Sequence, residues 1–268
     1  MNETLIRALS GAVYILLLLS CILYSNITFY ILFGLFMALA VLEFCKLVKL
    51  NFIIPLFLAI ASYALFYNVP FHPLYDGIIT VISIVVSIQL AVFLFSKKDK
   101  TFKEYEKWLY VIGYIILPFI ILTKIPIGAK GYNPRILVGI FILIWTNDTF
   151  AYVVGKSIGK HKLFERISPK KTIEGFLGGL TFSILGSIAI AKFFIGTSNI
   201  GIWIGIAILV SIFATLGDLI QSKFKRLAGV KDSGKIMPGH GGVLDRLDSI
   251  IYVAPFIFLF YQILNYVS

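Results

Sequence analysis

The chain has 268 residues, of which 59% are hydrophobic and only 14% charged, with a mean hydropathy of +0.94. These values exclude an ordinary soluble domain, which carries about a quarter charged residues, and make a lipid bilayer the solvent. A formal net charge of +11 would suit a nucleic-acid partner only on a soluble basic domain, and no segment exists to host one.

A spanning helix needs about 20 mostly apolar residues. In chain order, such stretches predict nine spans, at 5–24, 27–45, 51–67, 77–95, 107–123, 136–155, 174–195, 200–220 and 248–266, the third of them short. The expected fold class is therefore all-α, a polytopic transmembrane helical protein. Five spans occupy an N-terminal part, 1–135, and a C-terminal membrane region, 136–268, carries the connecting loops 156–173 and 221–247. Lys and Arg accumulate in short cytoplasmic loops. With nine spans, the loops after spans 2, 4, 6 and 8, together with Arg7 and Lys107 in the first turns of spans 1 and 5, hold 20 of the 24 Lys and Arg. That puts the N-terminus and these loops in the cytoplasm and the protein in the inner (plasma) membrane of the cell. The first apolar run reads as a span, because the nearest small-residue cleavage pattern, Ala38 to Ala40, lies deep inside the second. Cys21 and Cys45 stand alone in apolar segments and read as buried thiols, neither a disulfide nor a zinc site.

Carboxylates inside a bilayer are costly and mark functional sites. Asp148, near the end of span 6, and Asp218, near the end of span 8, are delivered to the same leaflet. Asp218, Ser222 and Lys225 share one helical face, a carboxylate, a hydroxyl and a cation in line. Asp245 and Asp248, three residues apart, share a face where span 9 begins. Glu43 is also close to a span end, but Lys46 three residues on suggests a local ion pair. The loop after span 4, Lys97 to Lys107, mixes acids among its lysines and reads as a topology signal. Between the acidic positions lies Pro238-Gly239-His240-Gly241-Gly242, whose glycines let backbone N–H groups turn toward an anion. Lys223, Lys225, Arg226, Lys231 and Lys235 precede it, and Asp245, Arg246 and Asp248 follow. Cations for phosphate oxygens and carboxylates for Mg²⁺ are the parts of phosphoryl transfer. The two common glycine-rich nucleotide motifs are absent.

The 27 positions from Ser222 to Asp248 closely resemble the signature of phosphatidate cytidylyltransferase, also called the CDP-diacylglycerol synthase family. They depart from it at Met237, a volume-conserving change. A second block, Asp148 to Gly159 followed by Ser168-Pro169-Lys170-Lys171-Thr172-Ile173-Glu174-Gly175, is also similar, with Lys156 where many members carry Arg. The resemblance implies the reaction CTP + phosphatidate → CDP-diacylglycerol + pyrophosphate, with Mg²⁺ required. It implies that Asp218, Asp245 and Asp248, with Asp148, hold one or two metal ions. Lys225, Arg226, Lys231, Lys170, Lys171 and Arg246 would contact phosphates. Gly239, Gly241 and Gly242 with His240 would cradle the leaving pyrophosphate, His240 alternatively donating a proton. Ser168, Thr172, Glu174, Ser222 and Asp232 complete the expected substrate contacts, and Glu174 equally suits a helix start.

Three other readings compete. A CDP-archaeol synthase-like enzyme would use an ether lipid phosphate. An anion transporter would also combine basic loops with intramembrane acids, but no internal repeat is visible and the motif residues gather on one side. A non-catalytic scaffold would not need every polar position of the signature filled. Gly155 with Gly159, and Gly201 with Gly205, allow either close helix contacts or a homodimer seam.

Overall fold

The computed structural model describes residues 3–68, 72–96, 101–128 and 131–267. Nine helical segments follow one another: α1 (Glu3–Tyr24), α2 (Asn26–Val48), α3 (Ile53–Asn68) and α4 (Pro73–Phe95), α5 (Glu104–Lys124), α6 (Pro134–Ile158), α7 (Ile173–Ile195), α8 (Ile200–Leu227) and α9 (Leu244–Val267). Eight are long and apolar enough to cross a membrane. The 16 residues of α3 reach only about 24 Å at 1.5 Å per residue. Two antiparallel hairpins complete the chain, β1 (Ile127–Gly128) with β2 (Gly131–Tyr132) and β3 (Lys162–Phe164) with β4 (Ser168–Thr172).

Nine expected spans thus correspond to nine helices among the described residues, but several run beyond the apolar stretch that announced them. α6 continues to Ile158, α8 to Leu227, and α9 begins at Leu244. Hydropathy marks the oil-facing length, whereas a helix continues wherever its polar residues find water or partners. Ser222, Lys225, Asp245 and Asp248 therefore sit on helices, and the loops shrink to 159–172 and 228–243. Part of the basic 97–107 loop, residues 97–100, lies outside the described residues.

Small residues set the helix crossings around the site. A Cβ on Gly155 would lie 2.8 Å from Thr172 Oγ1, one on Gly179 2.7 Å from the Asn147 carbonyl, and one on Gly217 2.8 Å from the Asp248 carbonyl. The first two close α6 onto α7, and the third closes α8 onto α9 beside Asp218. Gly155, Gly159 and Gly205 make close contacts inside the chain, whereas a Cβ on Gly201 would meet nothing within 4 Å. Phe224 of α8 meets the rings of Phe44, Phe93, Phe102, Tyr110 and Tyr114 at centroid distances of 5.0–6.2 Å. This aromatic cluster fixes α8 against α2, α4 and α5.

The bundle has two distinct ends. At one, Lys107 Nζ donates to the Lys49 carbonyl at 3.1 Å and Arg166 to the Ser96 carbonyl at 2.6 Å. Lys223 donates to carbonyls of Phe93, Leu94 and Ser96, so it neutralises the C-terminus of α4. At the other end, Tyr132 donates to the Ile22 carbonyl at 2.7 Å, and Asp76 pairs with Lys124 at 2.7 Å. The described parts of the loops that follow α2, α4, α6 and α8 gather at the first, basic end.

Candidate active site

Asp148 lies ten residues before the end of α6 and Asp218 nine before the end of α8. At 1.5 Å per residue both stand about 14–15 Å inside their helices, deeper than the apolar stretches alone suggest. Asp148, Asp218 and Asp248 come within electrostatic reach of one another, facing Lys171, Lys225 and Arg246. Lys171, at the end of β4, pairs with Asp218. Burial works against the Lys171 charge, but Asp218, with Asp148 and Asp248, outweighs it and holds its pKa above the ordinary lysine value. The Ser222 hydroxyl, one turn on, also bonds the Asp218 carboxylate, so the expected stripe of α8 exists.

Two cavities meet at Asp148. The larger, 580 Å³, is lined by Asp148, Asp218, Lys156, Lys162, Lys170 and Lys171. The smaller, 240 Å³, is lined by Asp148, Asp245, Arg246, Asp248 and His240, and its outer wall is Gly11, Tyr14 and Ile15 of α1. One is therefore walled by lysines, the other by a mixture of polar groups and apolar helix faces. Among the described residues, no three acidic, histidine or cysteine groups stand close enough to clasp a metal ion as the side chains lie. The ammonium groups on Asp218 and Asp245 hold that space.

Asp245 is the most heavily engaged carboxylate. Its Oδ1 accepts from Lys225 at 2.8 Å. Its Oδ2 accepts from Ser233 N at 2.7 Å, Ser233 Oγ at 2.9 Å and Gly242 N at 2.9 Å. It fastens both ends of the 233–242 segment.

Several sequence expectations meet a different arrangement. Glu43 forms no ion pair with Lys46. Its buried carboxylate accepts from Ser233 Oγ at 2.8 Å, Val243 N at 3.0 Å and Leu244 N at 2.9 Å. It therefore caps α9 and holds the signature segment from α2, a long-range partnership that nearest-neighbour charge counting misses. The expected backbone cradle is also occupied. Gly239 and Gly241 have φ of +74° and +86°, but the N–H groups of His240 and Gly241 bond the Met237 carbonyl at 2.9 and 3.1 Å, and that of Gly242 bonds Asp245. The turn's glycines serve its own closure.

Thr172 is the N-cap of α7, accepting from Gly175 N at 3.1 Å. Glu174 accepts from His161 Nδ1 at 2.6 Å and from the backbone N–H groups of Lys160 and His161, so both residues order the loop that presents Lys170 and Lys171. Ser168 opens β4 in that loop. Arg226 is exposed and lines neither cavity. Lys231 and Asp232 line a third cavity with Lys46 and Lys49.

Sequence reading also missed the role of α1. Ser10 Oγ lies 2.7 Å from His240 Nδ1 and 2.8 Å from the Pro238 carbonyl. A Cβ on Gly11 would press on the His240 ring at 3.2 Å, and one on Gly239 on the Arg7 side chain at 2.6 Å. The sequence offers only a faint signal for this, the small residues Ala8, Ser10, Gly11 and Ala12 in an otherwise bulky apolar helix. Burial, with the nearby charges of Arg246 and Arg7, pulls the His240 pKa below its ordinary value against the opposing Pro238 carbonyl.

Residues 5–264 match the profile of the Cytidylyltransferase family. The chain is 40% identical over 168 residues to proteins named phosphatidate cytidylyltransferase from Staphylococcus aureus (strain COL) and Staphylococcus epidermidis (strain RP62A). It is 41% identical over 170 residues to one so named from Staphylococcus haemolyticus (strain JCSC1435). Each match covers 63% of this chain and 63% of the relative's length. With the profile running from the first helix into the last, this chain belongs to the cytidylyltransferase family.

Proposed function

We propose that the protein transfers a cytidylyl group from CTP to phosphatidate, giving CDP-diacylglycerol and pyrophosphate, at the cytoplasmic face of the plasma membrane. The observation that carries this reading is the pair of cavities joined at Asp148, one lined with lysines and the other walled by a membrane helix. Basic loops at the same end of the bundle support the cytoplasmic side.

A triphosphate suits Lys156, Lys162, Lys170 and Lys171, and a lipid phosphate suits Arg246 beside the apolar wall of α1. The lipid phosphate oxygen attacks the α-phosphorus, a new P–O bond forms, and the bond to the β-phosphate oxygen breaks as pyrophosphate leaves. The nucleophile is already largely ionised at neutral pH, so no general base is needed. His240, held by Ser10, orders the turn against α1. The chain's work is to hold two anions together and offset their repulsion.

The donor chemistry suits Mg²⁺, although among the described residues no three of these groups clasp an ion as the side chains lie. Asp148, Asp218 and Asp248 are hard oxygen ligands of like charge facing one another, and the buried Tyr114 hydroxyl beside Asp218 and Asp248 has no hydrogen-bond partner. When bound, the ion would neutralise phosphate charge between the two substrates. Asp218 and Asp248 with Asp148 would hold it, and Asp245 Oδ1 is available once Lys225 turns to phosphate. A CTP-dependent lipid-product assay on Asp218→Asn beside wild type tests the reading, and full activity in the variant overturns it.

A further inference from the structure

A third cavity, of 440 Å³, opens at the same end of the bundle and shares no lining residue with the two that meet at Asp148. It is lined by Lys46 and Lys49 from the end of α2 and by Lys231, Asp232, Ser233, Gly234 and Lys235 from the signature segment. Four ammonium groups face one carboxylate. Among the described residues none of the four lysines has a carboxylate partner. Nearby, Lys107 is already committed to Glu104 and to the Lys49 carbonyl. Like charges concentrated in a concave site raise the local potential for an anion well above that of scattered surface lysines.

The backbone supplies an independent observation. Lys49 closes α2 in the left-handed region at φ 55°, and it is the one non-glycine residue with positive φ among the described residues. Glycine is the usual occupant of that position, and a side chain there costs about 1 kcal/mol. The cavity is also wired to the active site. Ser233 lines it, and Ser233 is the residue held by both Glu43 and Asp245.

We infer that this cavity binds a phosphate-bearing anion distinct from the two reacting substrates, and that its occupation braces the 231–235 segment against α2 and thereby sets the position of Asp245. A water occupies about 30 Å³, so the volume accommodates a phosphate or pyrophosphate group with part of its hydration. Two sources present that chemistry at the membrane boundary, free pyrophosphate and an anionic lipid headgroup.

The test uses full-length protein in phosphatidylcholine nanodiscs, with and without phosphatidylglycerol, and compares wild type with the double variant Lys46→Gln/Lys49→Gly. Glycine relaxes the left-handed cap, so the variant folds. Radiolabelled pyrophosphate bound per chain is counted by equilibrium dialysis, and CTP-dependent turnover is followed in parallel. A free-anion site appears as one pyrophosphate fewer in the variant, or one class of binding weakened by about tenfold or more, with turnover in phosphatidylcholine kept within about twofold. A lipid-borne site appears as equal pyrophosphate binding but a turnover response to phosphatidylglycerol that the variant lacks. Equal binding together with an equal lipid response overturns the inference. A large loss of basal turnover overturns it as well, because the cluster would then belong to the reaction itself.

Discussion

Two lysine–aspartate pairs stand at opposite ends of this bundle and differ in one respect. Lys124 and Asp76, 9% and 1% exposed, are sealed in protein at the end away from the basic loops. Lys171 and Asp218, 29% and 34% exposed, face a 580 Å³ cavity with Asp148 and further lysines around it. The first pair, with the His72 N–H also bonding Asp76 Oδ2 at 3.1 Å, is satisfied within the protein, as expected of a structural pin. The second is surplus in charge on both sides and open, so each partner can exchange the other for a ligand. Burial separates the roles of two pairs that are chemically the same.

The strongest way to break the comparison is at the open pair. Asp218→Asn is expected to lower turnover by about a thousandfold, the scale of losing a principal electrostatic stabiliser of the reacting phosphates, while the melting temperature in detergent stays close to wild type. At the sealed pair the expectation reverses. Lys124→Met strands a buried carboxylate at a cost of about 3 kcal/mol, seen as a large fall in melting temperature with turnover per folded molecule preserved. Replacing both partners, Lys124→Met with Asp76→Asn, is expected to restore much of that stability.

Glu43 sharpens the picture from a third position, where a carboxylate holds backbone instead of a cation. Glu43→Gln turns an amide donor toward N–H groups that need acceptors, and is expected to lower kcat/KM by about tenfold to a hundredfold. Steady-state kinetics on variant protein with a near-wild-type melting temperature checks it. The smallest effect concerns pH. The His240 pKa is lowered in the folded protein, so its contribution to stability is complete above the unfolded value near 6.5 and is lost as pH falls through the folded pKa. Melting temperature should decline slightly below pH 6.5, and His240→Asn should flatten that decline.

How much of this was legible beforehand depends on the range of the interaction. Nine apolar runs became nine helices because lipid exposure leaves a mark at every position. The acidic residues stood out because charge is rare in such runs. Asp218, Ser222 and Lys225 could be aligned because one helix carries all three. Ser10 against His240 and Glu43 against Ser233 link positions 230 and 190 residues apart, and no local pattern records such pairs. The glycine turn misled for a related reason, since its conformation was right but its N–H groups had partners that only folding supplies.

The sequence by itself therefore determined the solvent, the all-helical class and the residue types available for phosphate chemistry, because each is written in composition, periodicity or a contiguous motif. Tertiary structure alone decided which charges are sealed and which face a cavity, which lysines stand apart with α2, and which carboxylates fasten the loop. Those outcomes depend on where separate helices cross and on how much water their crossing leaves, and neither quantity is a property of any single stretch of chain.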